Sequence, residues 1–501
     1  MTLLQKTILA VCCVAASQLA AAADDAPLDA AAYGLAERAY AAIAAGDLPA
    51  AEQAADEALR LQPESRQLGL LHFDVLMRKG DLAAAQKSID ELCTRFAGDA
   101  LVLVQRGYLA QRQQRHQAAM EDFLAALSRP GLNKEQQRNA RLAWADSALL
   151  THQPGVVLDA LAPYAAEDDD IVRQRIAAAR AELSQGSLGE AYRHLREGRD
   201  ADAVQSFRRG FAVQRGASGQ YADAAYAAKR VNDNASADEW FRRVLDTEPA
   251  PDKARAFGYR REIQEMNRNF GAVASLAYQN GGFGPANSVD VLQGGLEAYW
   301  QPEGWGYRNG KLFQAFVRAY QTLYDGSGGR VGPVTAQGSA GVRYKPLGDV
   351  SFVLTAERLF RIGDLALNDW LLRAGYSTGA GSDWNPVERD WPTWSVYTES
   401  AYFVGDARFI QNLEARYGHS WAVGADKWVA IPHLVLGGDY DNRAVQRAAF
   451  GWGPGITLRR WFREDVYQAP ASWFDLTVQY RFELSQAPRA RGLSLRATLW
   501  Y

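Results

Sequence analysis

The pattern of hydrophobic and polar positions changes character near residue 250. Before it, small and apolar residues return every 34 positions: Gly46 with Gly80, Ala51 with Ala85 and Ala119, and Ala58 with Leu92 and Ala126. Ala39, Phe73 and Gly107 keep the same frame, as do Ala55, Ile89 and Phe123. It returns as Ala191 with Ala225, Gly198 with Asn232, Ala203 with Ala237 and Phe207 with Phe241. After residues 251–268, which read as a last helix or linker, the period becomes two. In Trp473 to Leu484, Phe474, Leu476, Val478, Tyr480, Phe482 and Leu484 face one side, and Asp475, Thr477, Gln479, Arg481 and Glu483 the other. That run is long enough to cross hydrocarbon as a tilted strand.

Small residues let two helices approach closely, and a larger residue fills the gap to the next pair. A 34-residue period of this kind resembles the tetratricopeptide repeat, with Pro63 where that repeat ends its second helix. Residues 24–250 hold five clear repeats and a degenerate sixth around Ala145 to Val157; the acidic run Glu167 to Asp170 reads as a solvated loop. Such arrays bind partners along a concave face. Tyr40, Asp74 and Tyr108 share one position there, near Leu70, Val104 and Met77, and form either a docking groove or ordinary contacts between repeats.

Residues 269–501 predict about twelve strands, starting near 269, 289, 311, 335, 349, 367, 391, 407, 427, 447, 473 and 492. An even count suits an antiparallel transmembrane β-barrel of the bacterial outer membrane; the other reading is a soluble β-sandwich. Aromatic residues at strand ends favour lipid: Trp300, Tyr320, Tyr344, Tyr376, Trp428, Tyr440 and Trp461. So do small residues on the apolar faces, such as Ala315, Ala319 and Ala374. The positions expected to face the lumen are Gln314, Arg318, Arg343, Glu357, Arg373, Glu414, Arg416, Arg459, Asp475, Gln479, Arg481 and Arg496. Arginine outnumbers carboxylate among them, which suits anionic or neutral polar cargo, or else ion pairs that cross-link a closed lumen. Phe316, Tyr320 and Tyr299 are the inward aromatics on which a sugar could stack. Two features fit poorly: the connection 379–390 is long on the side where turns should be short, and Pro432 falls inside a strand.

Residues 1–23 read as a secretory signal: Lys6, an apolar run from Thr7 to Leu19, then Ala20 to Ala23, with cleavage after Ala22 or Ala23. Val11 argues against lipid attachment at Cys12 or Cys13. Only Cys93 then remains, which excludes an intramolecular disulfide and reads as a small core residue. The balance of 55 basic and 58 acidic residues gives a net charge of -3 and no basic stripe for nucleic acid. No catalytic, zinc or phosphate-loop signature is present, so neither an enzyme nor a cofactor is expected. His72, His116, His152, His194, His419 and His433 are scattered and read as solvated.

The order of signal, repeats and barrel is similar to that of outer-membrane exporters of bacterial exopolysaccharides. The second half resembles the C-terminal domain of the bacteriophage N-four adsorption protein A family over about residues 255–501. The residues that carry it are Tyr259 to Gln264, Asn267, Phe270, Ala277-Tyr278, Gly294 to Tyr299, and Ser494 to Tyr501. A terminal strand closing on Leu499, Trp500 and Tyr501 resembles the signal read by the outer-membrane barrel assembly machinery. The resemblance implies outer-membrane lipid around the barrel, repeats in the periplasm, release of a polysaccharide made by an inner-membrane synthase, and use as a phage receptor. The repeat region is much shorter than in that family, which bears on the reach to such a synthase. The competing function is a scaffold: the barrel anchors, and the repeats recruit periplasmic proteins without transport.

Overall fold

The computed structural model describes residues 27–247, 249–280, 290–424 and 426–501, so the secretory signal expected at 1–23 lies outside the described residues. Twelve of its helices form six antiparallel pairs: α1 (Ala30–Ala45) with α2 (Leu48–Leu61), α3 (Arg66–Lys79) with α4 (Leu82–Arg95), and α5 (Ala100–Arg112) with α6 (His116–Leu127). Then come α7 (Lys134–Leu150) with α8 (Pro154–Leu161), α9 (Asp170–Arg196) with α10 (Asp200–Val213), and α11 (Ser218–Arg230) with α12 (Asn234–Asp246). A single helix, α13 (Lys253–Met266), follows. By packing the chain divides into two compact units, Met1–Gly189 with Arg209–Gln214, and Glu190–Arg208 with Arg215–Tyr501.

The repeat period has a backbone cause. Each pair turns through one residue of left-handed conformation: Gly46, Gly80, Gln114, His152, Gly198 and Asn232, at φ 79°, 80°, 59°, 57°, 71° and 62°. Glycine adopts that conformation without the Cβ clash that other residues meet. Asp47 and Asp81 follow directly and cap the next helix, accepting from the N–H of Ala50 at 3.1 Å and of Ala84 at 3.0 Å. The small sites Ala51, Ala85 and Ala119 are wholly buried, and so are Ala55, Ile89 and Phe123 one turn on. Enlarging one of them overpacks a helix crossing. Ala119→Leu is expected to cost about 1–3 kcal/mol. A lower urea midpoint of the helical circular-dichroism signal, with the barrel unaffected, checks this; an unchanged midpoint would show slack at the crossing.

The acidic run is solvated as expected, with Glu167, Asp168 and Asp170 exposed, but Asp169 within it caps a helix. The Asp169 carboxylate accepts from the N–H of Ile171 at 2.8 Å, receives the Arg138 guanidinium, and so starts α9, where the helix dipole favours negative charge.

Apart from a two-residue strand at Tyr307–Arg308, the described strands are β1 (Phe270–Asn280), β2 (Val291–Trp300), β3 (Lys311–Asp325), β4 (Gln337–Lys345), β5 (Ser351–Arg361) and β6 (Trp370–Ala380). They continue as β7 (Asp390–Phe403), β8 (Arg408–Val423), β9 (Trp428–Asp441), β10 (Ala448–Phe462), β11 (Ser472–Glu483) and β12 (Gly492–Trp500). Each pairs antiparallel with the next, and β1 pairs with β12 in a register running from Val273 opposite Trp500 to Asn280 opposite Leu493. The sheet is therefore one closed twelve-strand barrel, not a sandwich. Pro432 leaves a gap: β9 stays in register with β10 throughout, but its pairing with β8 lapses at Ile431 and Pro432 and resumes at His433 opposite Gly418. A missing N–H loosens the ladder locally without shifting it.

The outer face is apolar. Leu276, Leu296, Val317, Leu354, Leu372, Leu436, Ile456 and Leu476 are all exposed, as a lipid-facing girdle requires and as water disfavours over so large a patch. Trp300, Tyr344, Tyr376 and Tyr440 are exposed on that side, and Trp428 shares it. Tyr320 and Trp461 are exceptions to the interfacial expectation. Tyr320 lies opposite Gly295 and Gln337 on the inner face, and Trp461 opposite Trp473, two residues from the inward Arg459.

Candidate functional site

The barrel interior is built from the inward residues of almost every strand, because alternation puts every second side chain there. Two ion-pair clusters occupy it. In the first, Glu297 on β2 receives Arg318 and Arg343, while Glu357 on β5, fully buried, receives Arg373 at 2.7 Å, Arg318 at 3.4 Å and the Ser339 hydroxyl at 2.8 Å. Glu399 stands 3.7 Å from Arg373. The guanidiniums of Arg318 and Arg343 both lie over the Phe316 ring, 4.5 and 4.6 Å from its centre.

The second cluster centres on Glu414 of β8. It pairs with Arg416 at 2.6 Å, Arg481 at 2.5 Å and Arg496 at 3.1 Å. Arg481 and Arg496 come from β11 and β12, so these bonds span the interior rather than run along the sheet. Gln479 joins them, and its amide lies 3.1 Å from Nε2 of His433. His433 is thus a buried member of this network, with Nδ1 2.8 Å from the Ile431 carbonyl oxygen, and not a solvated histidine. Arg459 and Asp475 form a separate two-pronged pair, at 2.5 and 2.6 Å. Gln314 donates to Gln301 at 3.1 Å, both buried.

Of the inward positions read from the sequence, ten thus sit in ion pairs, and Gln314 and Gln479 hydrogen-bond beside them. Glu297 and Glu399 were missed, although each alternates in phase with its strand's other inward residues. The inward aromatics Phe316 and Tyr299 are 4 % and 3 % exposed, so packing rather than a sugar covers them.

The end of the barrel that carries Phe270 and Tyr501 has a second feature, and it explains the long connection. Helix α13 is tied to the connections 381–389 and 463–471. Arg261 pairs with Asp383, Arg260 donates to the Asp465 carbonyl, and Arg268, just after the helix, donates to the Ala471 carbonyl at 3.0 Å. The preceding repeat adds Asn234 Nδ2 to the Tyr307 carbonyl at 3.0 Å, and Tyr467 to Asp246 at 3.1 Å. Turns that must reach and hold a helix cannot be minimal. Burial, with Glu262 and Glu265 nearby, pushes the Tyr307 phenol above its ordinary pKa. A cavity of about 510 Å³ lies between α13 and the strands, lined by Trp384, Trp461, Trp473, Trp500, Gln301, Gln314, Arg268, Arg343 and Lys345 among others.

At the opposite end, the short turn between β7 and β8 is held by a buried carboxylate. Asp369 accepts from Gly405 N–H at 2.6 Å, Asp406 N–H at 3.1 Å and Trp370 N–H at 2.7 Å. Burial alone would raise its pKa; these donors outweigh it and hold the carboxyl below its ordinary value.

In the repeats, Tyr40 and Asp74 are near neighbours. Burial, then the Asp74 charge, raises the Tyr40 pKa, and burial raises that of Asp74. Tyr108 packs edge-on against Phe123 at 5.2 Å. The same repeat position carries Tyr192 and Tyr226, edge-on to Phe207 at 5.4 Å and Phe241 at 5.0 Å. The position is therefore at least partly structural. Cys93 is half-buried, with an Arg106 N–H 3.7 Å from its sulfur. Among the described residues no group of three or more His, Cys, Asp or Glu could hold a metal ion, and no helix is long and apolar enough to cross a membrane.

Residues 328–497 match the family model described as "Bacteriophage N adsorption protein A C-term". The match begins in the β3–β4 connection, later than the resemblance at 255 implied, and leaves β1 to β3 outside it. A comparison with curated proteins finds no match. Solved structures similar to the repeats include a tetratricopeptide repeat protein from Parabacteroides merdae, 15% identical over 44% of this chain and 94% of that one, TM-score 0.27. Another is PilW, a type IV pilus biogenesis factor, 17% identical over 47% and 98%, TM-score 0.26. A third is YrrB, described as having an unusual peptide-binding site, 16% identical over 40% and 94%, TM-score 0.24. The family match and the closed barrel together point to an outer-membrane protein with a tetratricopeptide-type helical region.

Proposed function

We propose that the barrel lets a polysaccharide leave the cell across the outer membrane, with the helical repeats in the periplasm guiding it or docking its inner-membrane synthase. The protein acts without catalysis or cofactor in this reading, and it also serves as a receptor for phage adsorption. The observation that carries it is the pairing of a lipid-ready outer face with an interior of guanidinium, carboxylate, amide and indole groups. Planar polar groups of that kind exchange hydrogen bonds with hydroxyls, and aromatic faces stack on the apolar side of a sugar ring. Arg318, Arg343, Arg373, Arg416, Arg481 and Arg496 stand against Glu297, Glu357, Glu399 and Glu414, so the interior favours an anionic polymer.

The same ion pairs cross-link the interior, so passage requires some of them to open. The test compares a deletion strain with wild type for secreted polymer and for polymer retained in the periplasm. Retention on deletion is the expected result. Normal secretion without retention overturns export and leaves the reading of a membrane-anchored scaffold whose repeats recruit proteins.

A further inference from the structure

We infer that the cavity under α13 is a binding subsite for one acidic sugar unit, the last hold on the chain before it enters the barrel. This rests on the export reading for its ligand class and on the cavity itself for its chemistry. Its volume, about 510 Å³, is that of a small-molecule site. Its walls combine what an acidic pyranose presents: apolar ring faces, hydroxyls and a carboxylate.

Trp384 and Trp461, both half-buried, supply aromatic faces, although Arg459 stands 5.3 Å from the Trp461 ring; Trp473 is covered by the same Arg459 at 4.6 Å and stacked on Trp500 at 5.9 Å. The indole N–H groups of Trp461 and Trp500 are buried and meet no acceptor among the described residues. Gln301 and Gln314, buried and bonded to each other, add planar amides.

The charge bias comes from two cations. Arg268 and Lys345 line the cavity and donate to the main-chain carbonyls of Ala471 at 3.0 Å and Gly348 at 2.9 Å, which neutralise no charge. A ligand carboxylate would complete them. The carboxylates of the lining, Asp383 and Glu265, both face Arg261, at 2.5 and 3.4 Å, and Glu265 also stands near Lys345.

The experiment is calorimetric titration of the full chain in detergent micelles with tetragalacturonate, and with maltotetraose as the neutral counterpart. Tetragalacturonate should bind more tightly than maltotetraose. Trp461→Leu and Trp384→Leu should each weaken it about tenfold, the loss of one stacking face. Lys345→Met should erase the preference for the acidic chain. Heat-modifiable migration on gels confirms that each variant still forms its barrel. No binding of tetragalacturonate, equal binding of both oligomers by the wild type, or full affinity in both tryptophan variants overturns the subsite. The two readings fail separately. Secretion that survives deletion while tetragalacturonate binds removes export and keeps the site. Polymer retained on deletion without any binding removes the site and keeps export.

Discussion

Deleting Trp500 and Tyr501 is expected to abolish the heat-modifiable, folded barrel band in outer-membrane fractions while the helical repeats still fold. The two residues close the seam. Tyr501 exchanges backbone hydrogen bonds with Ala272, at 2.8 and 2.9 Å, and Trp500 lies opposite Val273 on one side and Trp473 on the other. The Trp500 ring also stands 5.9 Å from those of Tyr299 and Trp473. In hydrocarbon an open strand edge has no water to satisfy it, and each orphaned backbone group costs several kcal/mol. Leu499, facing outward at 38 % exposure, belongs to the lipid side of the same strand. A truncated chain that still migrates as a folded barrel would show that the seam closes without this end.

Glu414→Ala is expected to destabilise the barrel by about 3–5 kcal/mol, the usual effect of removing one partner from a buried ion pair. Here one carboxylate, 18 % exposed, answers three guanidiniums. Its loss leaves Arg416, Arg481 and Arg496 facing one another with no shared anion. Urea unfolding in detergent should show a lower midpoint, and single-channel recording a shift toward anion selectivity. Arg416→Met, which removes one cation of the three, should cost much less. Equal midpoints for wild type and Glu414→Ala would mean that water or salt already screens the cluster.

The repeats and strands were legible because each period is a direct image of backbone geometry. Ala51, Ala85 and Ala119 mark a helix crossing at fixed spacing, and Arg481 alternates with Phe482 because successive strand residues face opposite sides. Alternation also placed Glu414 and Arg496 on one face, but not the fact that they meet across the interior, since that depends on closure and strand order. Trp461 was misread for the same reason. At a strand end, an indole at the lipid interface and one turned into the mouth look alike in sequence, and only the neighbouring Arg459–Asp475 pair fixes its face. The long 379–390 connection was anomalous until α13 supplied its purpose. Nothing local to that loop names a helix over a hundred residues earlier.

The ties between α13 and the strand connections also set where the protein can be cut and rejoined. Composition changes near residue 250, yet the compact unit that contains the barrel begins at Glu190 and resumes at Arg215. A chimera joined at 268 would strip Asp383, Asp465, Tyr307 and Tyr467 of their partners on Arg261, Arg260, Asn234 and Asp246. A graft that carries the last repeats with the barrel keeps all four, so recombination between relatives would preserve the barrel's floor only when those repeats travel with it.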